Sequence, residues 1–359
     1  MMDTRKGKAR VVVVGGANVD IQGKSFAPFI PGDSNPGRIV RACGGVGRNI
    51  AENCARLGMP TWLIAAFGDD QDGAFLSDSC ERIGIDLGGS LRAHAPTPRY
   101  LCALGPDGGL QAAVADMAAM ELLTPEFLET RRPYLDAADI LIADANLPAP
   151  SLAWLAAAYG RENRPGGGSQ ERGQRRRPIL FLDPVSATKA KKAVGLTAAF
   201  DCIKPNANEA AILAGLRQTG LARQVDSARQ TDVARREARE PQCNPEALRR
   251  ALAETRGMPA ELYISLGEEG IYYSEADGLS GIEPLPPPEL RMPPSNRSGA
   301  GDAACAALAW AWSMGLPIRD KARAALTAAM IAAASPEPVS PEMNEDALVR
   351  AMRRMFREE

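Results

Sequence analysis

Late in the chain, Pro294-Ser295-Asn296-Arg297-Ser298-Gly299-Ala300-Gly301-Asp302 runs into an alanine-rich stretch over 303–314. Small residues at a helix start leave several backbone N–H groups free to face one anion, at the positive end of the helix dipole. A carboxylate in such a nest, Asp302, is out of place for anion binding alone. It suits a base that takes a proton from an acceptor hydroxyl, while the N–H groups of Gly299, Ala300 and Gly301 stabilise a migrating phosphoryl group. The competing reading makes Asp302 a plain helix N-cap.

Gly44-Gly45-Val46-Gly47-Arg48-Asn49 opens another helix, where unobstructed backbone N–H groups can approach a small polar ligand with Asn49 one turn inside. Lys204-Pro205-Asn206-Ala207-Asn208-Glu209 sets an amide and a carboxylate three residues apart. At a strand-to-helix turn that pair can hold a hydrated Mg²⁺, which keeps several waters and needs few protein oxygens. Capping explains Asn206 equally well. A run ending Gly23-Lys24-Ser25 imitates a P-loop, but Asn18 stands where the first glycine belongs and no helical pattern follows Ser25. Gly299-Ala300-Gly301-Asp302-Ala303-Ala304 imitates a dinucleotide fingerprint, yet it comes late in the chain and Asp302 would repel a pyrophosphate.

These segments need a frame. Val11 to Val14 reads as a buried strand ending in Gly15-Gly16. Val46, Ile50, Cys54 and Leu57 recur at helical spacing until Gly58 stops the run. Further strands are expected at Trp62 to Phe67, Ile140 to Ala143, Ile179 to Leu182, Cys202-Ile203 and Leu262 to Ser265. Helices are expected at Gly73 to Ile83, Ser151 to Tyr159, Glu209 to Leu213, 303–314, 319–334 and 344–356. Short apolar strands alternating with helices predict an α/β fold, a mostly parallel sheet covered on both faces.

Polar residues or a glycine turn follow five of those strands: Asn18 and Asp20, Asp144 and Asn146, Asp183, Asn206, and Gly267. Ligands gather beyond the carboxyl ends of such strands, so the residues imply one shared cleft. Any one of them could equally be a turn or cap residue. Two polar excursions, 21–43 and 92–114, stand outside the alternation and predict a small appended sheet or lid. Segments 160–178 and 216–245 are poor in apolar residues and read as inserts.

The 359 residues carry 42 Lys and Arg against 44 Asp and Glu, a net charge of −2 that argues against a nucleic-acid partner. A single histidine, His94, excludes a two-histidine zinc site. Seven cysteines without a CxxC spacing read as reduced thiols. No apolar run is long enough for a signal peptide or a membrane span, so a soluble, cytoplasmic protein is expected.

Taken together and in order, Gly15-Gly16-Ala17-Asn18-Val19-Asp20, the Gly44–Asn49 motif, Lys204-Pro205-Asn206 with Glu209, Ser265-Leu266-Gly267-Glu268-Glu269-Gly270 and Ser298–Asp302 resemble the ribokinase-like (PfkB) family of carbohydrate and nucleoside kinases. The resemblance spans residues 11 to about 335 and continues in one kinase domain over 11–359. It is nearest to the pseudouridine kinases through Asp33-Ser34-Asn35-Pro36-Gly37, Ile50-Ala51-Glu52-Asn53, Asp183-Pro184-Val185-Ser186 and Tyr272-Tyr273-Ser274.

The resemblance implies a three-layer ribokinase-like sandwich with a β-lid, and phosphorylation of pseudouridine at its ribose 5′-hydroxyl by ATP with Mg²⁺, with K⁺ as a further candidate cofactor. It makes Asp302 the base and Gly299, Ala300 and Gly301 the anion hole. It assigns the ribose to Asn18, Asp20, Gly44, Gly45, Gly47 and Asn49. The nucleotide falls to Asn206, Ser265, Gly267, Gly270 and Ser298, with Asn206 and Glu209 at the metal. Ser34, Asn35 and Asp116 would reach the base from the lid, and a lid of this kind suggests a homodimer. The rival readings are another ribose or nucleoside kinase and a non-catalytic nucleoside-binding protein on the same scaffold. The chain departs from the family at Ser298, where threonine is usual, in its two inserts, and in the proline-rich 335–343 where the adenine pocket closes.

Overall fold

The computed structural model describes residues 8–163, 177–216, 244–255, 257–295 and 298–356. The chain begins with β1 (Val11–Val14), β2 (Asn18–Ser25), β3 (Gly37–Gly44) and α1 (Val46–Arg56). Next come β4 (Thr61–Ile64), β5 (Ala66–Gly68), α2 (Gln71–Arg82), β6 (Ile85–Asp86), β7 (Leu91–Ala93), β8 (Arg99–Leu104) and β9 (Leu110–Asp116). Two short helices, α3 (Pro125–Glu129) and α4 (Arg132–Leu135), lead to β10 (Ile140–Asp144), α5 (Ala149–Tyr159), β11 (Ile179–Asp183), α6 (Ala187–Ala190), β12 (Cys202–Ile203) and α7 (Ala207–Leu213). The chain closes with α8 (Pro245–Thr255), β13 (Glu261–Ser265), β14 (Ile271–Glu275), β15 (Ser280–Glu283), α9 (Ala300–Ser313), α10 (Ile318–Ala333) and α11 (Glu345–Met355).

Nine strands form the main sheet in the order β15-β14-β13-β12-β11-β10-β1-β4-β6. All neighbours from β6 to β13 are parallel, and the β13–β14–β15 edge is antiparallel. Side chains alternate across the pleat. Val11 and Val13 therefore enter one apolar layer with Ile50, Cys54 and the alanines of α9 and α10. Val12 and Val14 enter the opposite layer with Leu152, Leu155 and Leu213 from α5 and α7. Two buried layers around one sheet make the three-layer α/β architecture expected from the alternation.

A second sheet, in the order β3-β2-β8-β9, occupies the two polar excursions. It grows directly out of the turn after β1, so its base lies at the carboxyl end of the main sheet. The run Trp62 to Phe67, expected as one strand, is two: β4 stays in the main sheet, while β5 pairs with β7. The break falls at Ala65, whose N–H takes the Ser90 hydroxyl as acceptor at 3.1 Å, so the chain leaves one sheet for the other there. Helix α8 and the β14–β15 hairpin were not anticipated as elements. The inserts expected at 160–178 and 216–245 lie largely outside the described residues. The six cysteines among the described residues are free, and no described helix is long and apolar enough to cross a membrane.

Candidate active site

The carboxyl ends of β1, β10, β11 and β12 converge with the N-termini of α1, α7 and α9. Helix α9 starts from Gly299, which adopts a left-handed conformation at φ 79° and contributes no side-chain cap. Asp302 is therefore not the N-cap; it is the third residue of the helix. The first helical bond runs from the Ala303 N–H to the Gly299 carbonyl at 2.9 Å, so the preceding N–H groups have no intrahelical acceptor. A Cβ on Gly299 would lie 1.8 Å from the Pro338 carbonyl oxygen. The proline-rich stretch thus presses on the back of the anion nest, and only glycine fits the turn.

Asp302 is buried, and its Oδ2 accepts a hydrogen bond from Asn49 Nδ2 at 2.7 Å. Burial pushes this carboxyl up to about 7, Asp183 and Asp144 push the same way, and the Asn49 bond and the Lys204 ammonium oppose them. A carboxyl poised near neutrality can hold a proton or release it at working pH. Lys204 is buried too, with Nζ 3.4 Å from Asp183 Oδ2 and 3.5 Å from where a Cβ on Gly301 would sit. Burial alone would push the Lys204 ammonium down, but Asp183, with Glu209 and Asp302, outweighs it and holds the pKa up. A fixed positive charge therefore lies directly beneath the anion nest.

On the other side of the cleft, Asn18 Nδ2 donates to Asp20 Oδ1 at 2.6 Å. Burial raises the Asp20 carboxyl, while Asn18 and Arg48 hold it back. Gly44 packs against the Asp20 carboxylate. The glycines of the α1 turn also have a structural job. A Cβ on Gly45 would lie 2.5 Å from the Gly16 carbonyl, and one on Gly47 would lie 2.8 Å from the Gly15 carbonyl carbon. They let two backbones touch, and the Arg48 N–H donates to Gly16 O at 3.0 Å. Asp144, at the end of β10, accepts from the Gly16 N–H at 2.8 Å and fixes the same turn from below.

Asn206 and Glu209 form a reciprocal capping box on α7: Glu209 N–H donates to Asn206 Oδ1, and Asn206 N–H donates to Glu209 Oε2, each at 2.9 Å. Asn206 Nδ2 also donates to Glu209 Oε1 at 2.9 Å. Their oxygens keep further lone pairs, which fits water-mediated contact with a hydrated Mg²⁺ better than direct chelation. Among the described residues no group of three or more His, Cys, Asp or Glu side chains is arranged to hold a metal. Ser265 joins Asn206 through a bridge and donates its N–H to Pro205 O at 3.0 Å. Gly267, at φ 61°, borders open space, and Gly270, at φ 107°, packs on the Glu283 carbonyl. Ser298 adjoins Gly299 at the start of α9.

The lid residues are not gathered with these groups. Asn35 spends its amide inside its own loop, accepting from Ile30 N–H at 2.8 Å and donating to Ile30 O at 2.9 Å and Asp33 O at 3.0 Å. Ser34 is exposed in that loop. Asp116 pairs in register with Arg99, whereas Asp20 pairs with Tyr100, so Asp116 lies on the opposite face of the lid sheet from Asp20. Sequence reading gave no role to Arg48, whose only signal was a charge pair with Glu52 one helical turn on, in a helix otherwise rich in buried small and apolar residues.

A model of the pfkB family of carbohydrate kinases matches residues 8–345. The chain belongs to this family. It is 32% identical over 317 residues to a pseudouridine kinase of Escherichia coli (strain K12), covering 88% of each chain. It is 31% identical to an uncharacterized sugar kinase, YeiI, of the same organism, covering 93% of this chain and 81% of that one. A ribokinase of Arabidopsis thaliana complexed with ribose and ATP superposes with a TM-score of 0.72 at 18% identity, covering 96% of this chain and 99% of that one. This pfkB protein is accordingly a sugar or nucleoside kinase, a phosphotransferase with a ribokinase-like fold.

Proposed function

We propose that the chain phosphorylates pseudouridine on the ribose 5′-oxygen with ATP as donor. The observation that carries this reading is the contact between Asn49 and Asp302, which joins a carboxyl poised near neutrality in the first turn of α9 to the glycine-rich start of α1. The choice of nucleoside rests on similarity to the Escherichia coli pseudouridine kinase.

In this reading Asn18, Asp20 and Asn49 hold the ribose hydroxyls, and Gly44, Gly45 and Gly47 shape the turn that carries them. Asp302 accepts the 5′-hydroxyl proton as the oxygen attacks the terminal phosphorus in line. The N–H groups of Gly301 and Ala300 face the transferring phosphoryl group, with Gly299 setting their direction and Lys204 supplying positive charge from below. Ser265, Gly267, Gly270 and Ser298 border the nucleotide. Asn206 and Glu209 would hold Mg²⁺ through its waters, and the ion would neutralise charge on the donor phosphates. Ser34 and Asn35 are assigned to the base only if the lid loop moves, and K⁺ is a candidate activator.

The test is turnover by purified protein with ATP and Mg²⁺ against pseudouridine, uridine, adenosine and ribose. Pseudouridine is expected to give the highest kcat/KM, with the product phosphate on the 5′-oxygen. A preference for any of the other three overturns the substrate assignment and leaves the kinase assignment intact.

The lid sheet's face opposite Asp20 carries Ile39 at 76%, Val114 at 65% and Leu101 at 49% exposure. A second copy of this chain is the proposed occupant, because the sheet's open edges can continue into another lid.

A further inference from the structure

We infer that Arg48 is a positioning residue for the phosphoryl-transfer base: it locks the Asn49 amide so that the NH₂ end, and not the oxygen, faces Asp302. The inference rests on the reading above, in which Asp302 is that base.

Arg48 is only 2% exposed, so its guanidinium is not there for solvent or for long-range steering. Nη1 donates to Glu52 Oε2 at 2.5 Å, Nε donates to Gly44 O at 3.2 Å, and Nη2 donates to Asn49 Oδ1. Glu52 is anchored in turn, with Oε1 accepting from Arg56 Nε at 2.8 Å. The chain of contacts thus runs from the half-buried end of α1 to the middle of the cleft. A guanidinium has five donors and no acceptor. Whichever atom of Asn49 faces it must be the oxygen, and the NH₂ group is then left for Asp302 Oδ2 at 2.7 Å.

The orientation decides whether Asp302 can act. A donated N–H favours the ionised carboxyl and leaves Oδ1 of Asp302 to receive the substrate proton. With the amide reversed, the Asn49 oxygen would face Asp302 Oδ2, and two acceptors meet comfortably only with a proton between them. A protonated carboxyl is no base. Burial, Asp183 from the end of β11 and Asp144 from the end of β10 already favour that proton, and Asn49 from α1 and Lys204 from the end of β12 oppose it. Loss of either opposing group should therefore register. A helix-stabilising ion pair would not need to be buried beneath the cleft, where desolvation offsets most of its attraction.

The test follows the Asp302 carboxyl in the substrate-free protein by infrared difference titration, with Asp302→Asn identifying its band. In Arg48→Met the midpoint is expected to rise by about one pH unit, the size of one lost charge-stabilising hydrogen bond. The acid limb of the kcat profile should move with it, and Arg48→Lys should restore part of the shift. A folded Arg48→Met protein with lowered Tm and an unmoved midpoint overturns the proposal, since that is the signature of a purely structural arginine. Should the single variant fail to fold with Glu52 half-paired, Arg48→Met/Glu52→Leu replaces the pair by apolar side chains, and the same two outcomes apply. The titration needs no turnover, so it decides the role of Arg48 even if every tested nucleoside proves a poor substrate.

Discussion

Asn49 Nδ2 and Asp302 Oδ2 meet at 2.7 Å although 253 residues separate them. The contact ties the first turn of α1, which adjoins the sugar-side residues, to the first turn of α9, which carries the anion nest. In the proposed reaction, two helix starts that meet in this way would hold a hydroxyl and a phosphoryl group in one line. The kinase reading depends on this meeting more than on any motif taken singly.

Asp302→Asn should lower kcat by about 10³-fold with little change in acceptor KM, because an amide fills the same space and cannot take the proton. Steady-state kinetics at saturating ATP checks this. Undiminished turnover would show that another group takes the proton.

The same substitution should stabilise the fold. Burial raises the Asp302 carboxyl from 3.8 to about 7, so the folded state binds more protons than the unfolded state between those values, and wild-type stability falls as pH rises through that window. Asp302→Asn lacks this loss. Its advantage over wild type should grow from pH 4 to 7 and then level at roughly 2–4 kcal/mol, measured by urea unfolding at pH 5 and pH 8. An advantage independent of pH would mean that the carboxyl is not so displaced.

Gly299→Ala should be costly although the position carries no side chain. The added methyl would lie 1.8 Å from the Pro338 carbonyl, on a backbone at φ 79°. Strain and displacement together should cost about 2 kcal/mol. The shift also turns the N–H nest, so kcat should fall more than acceptor KM rises. A normal kcat would separate the nest from catalysis.

Arg41 of β3 and Arg99 of β8 both end on Asp72 of α2, which fastens the lid sheet to the core. The arginines are partly exposed, so each bond is modest on its own. Asp72→Asn should loosen the lid, raise acceptor KM by about 3–10-fold and increase ATP hydrolysis without acceptor. High salt should produce a weaker version of the same effect in wild type. Unchanged KM in the variant would show that the lid is held elsewhere.

Val114→Asp should convert a dimer into a monomer in sedimentation velocity if the lid face bearing Ile39, Leu101 and Val114 is the contact between copies. A monomeric wild type would remove that contact from the account.

The alternation of strands and helices could be read along the chain because period and length are local properties. Val11–Val14 feed both apolar layers through simple alternation, and the α1 and α9 helices begin where their glycines indicate. The split at Ala65 could not be read, since a continuous apolar run carries no mark of which sheet each half joins. The antiparallel turn to β14 was legible in principle: five residues, with left-handed glycines at Gly267 and Gly270, join β13 to β14, too few for a parallel crossover. Around the site, the motifs named Asn49, Asp302, Asn206 and Glu209. They did not reveal that Gly47 exists for backbone contact with Gly15, or that Asn35 is consumed by its own loop.

The residue order determined which side chains stand at the carboxyl ends of the strands and which helix starts are rich in glycine, since periodicity and turn chemistry act over a few residues. Arg48 and Asn49 are neighbours on one helix, but the tertiary structure alone decided that Asn49 would face Asp302 and that Lys204 would lie under Gly301. Those pairings arise from helices docking on a shared sheet. The burial they create sets the local dielectric, and through it the proton affinity on which the chemistry depends.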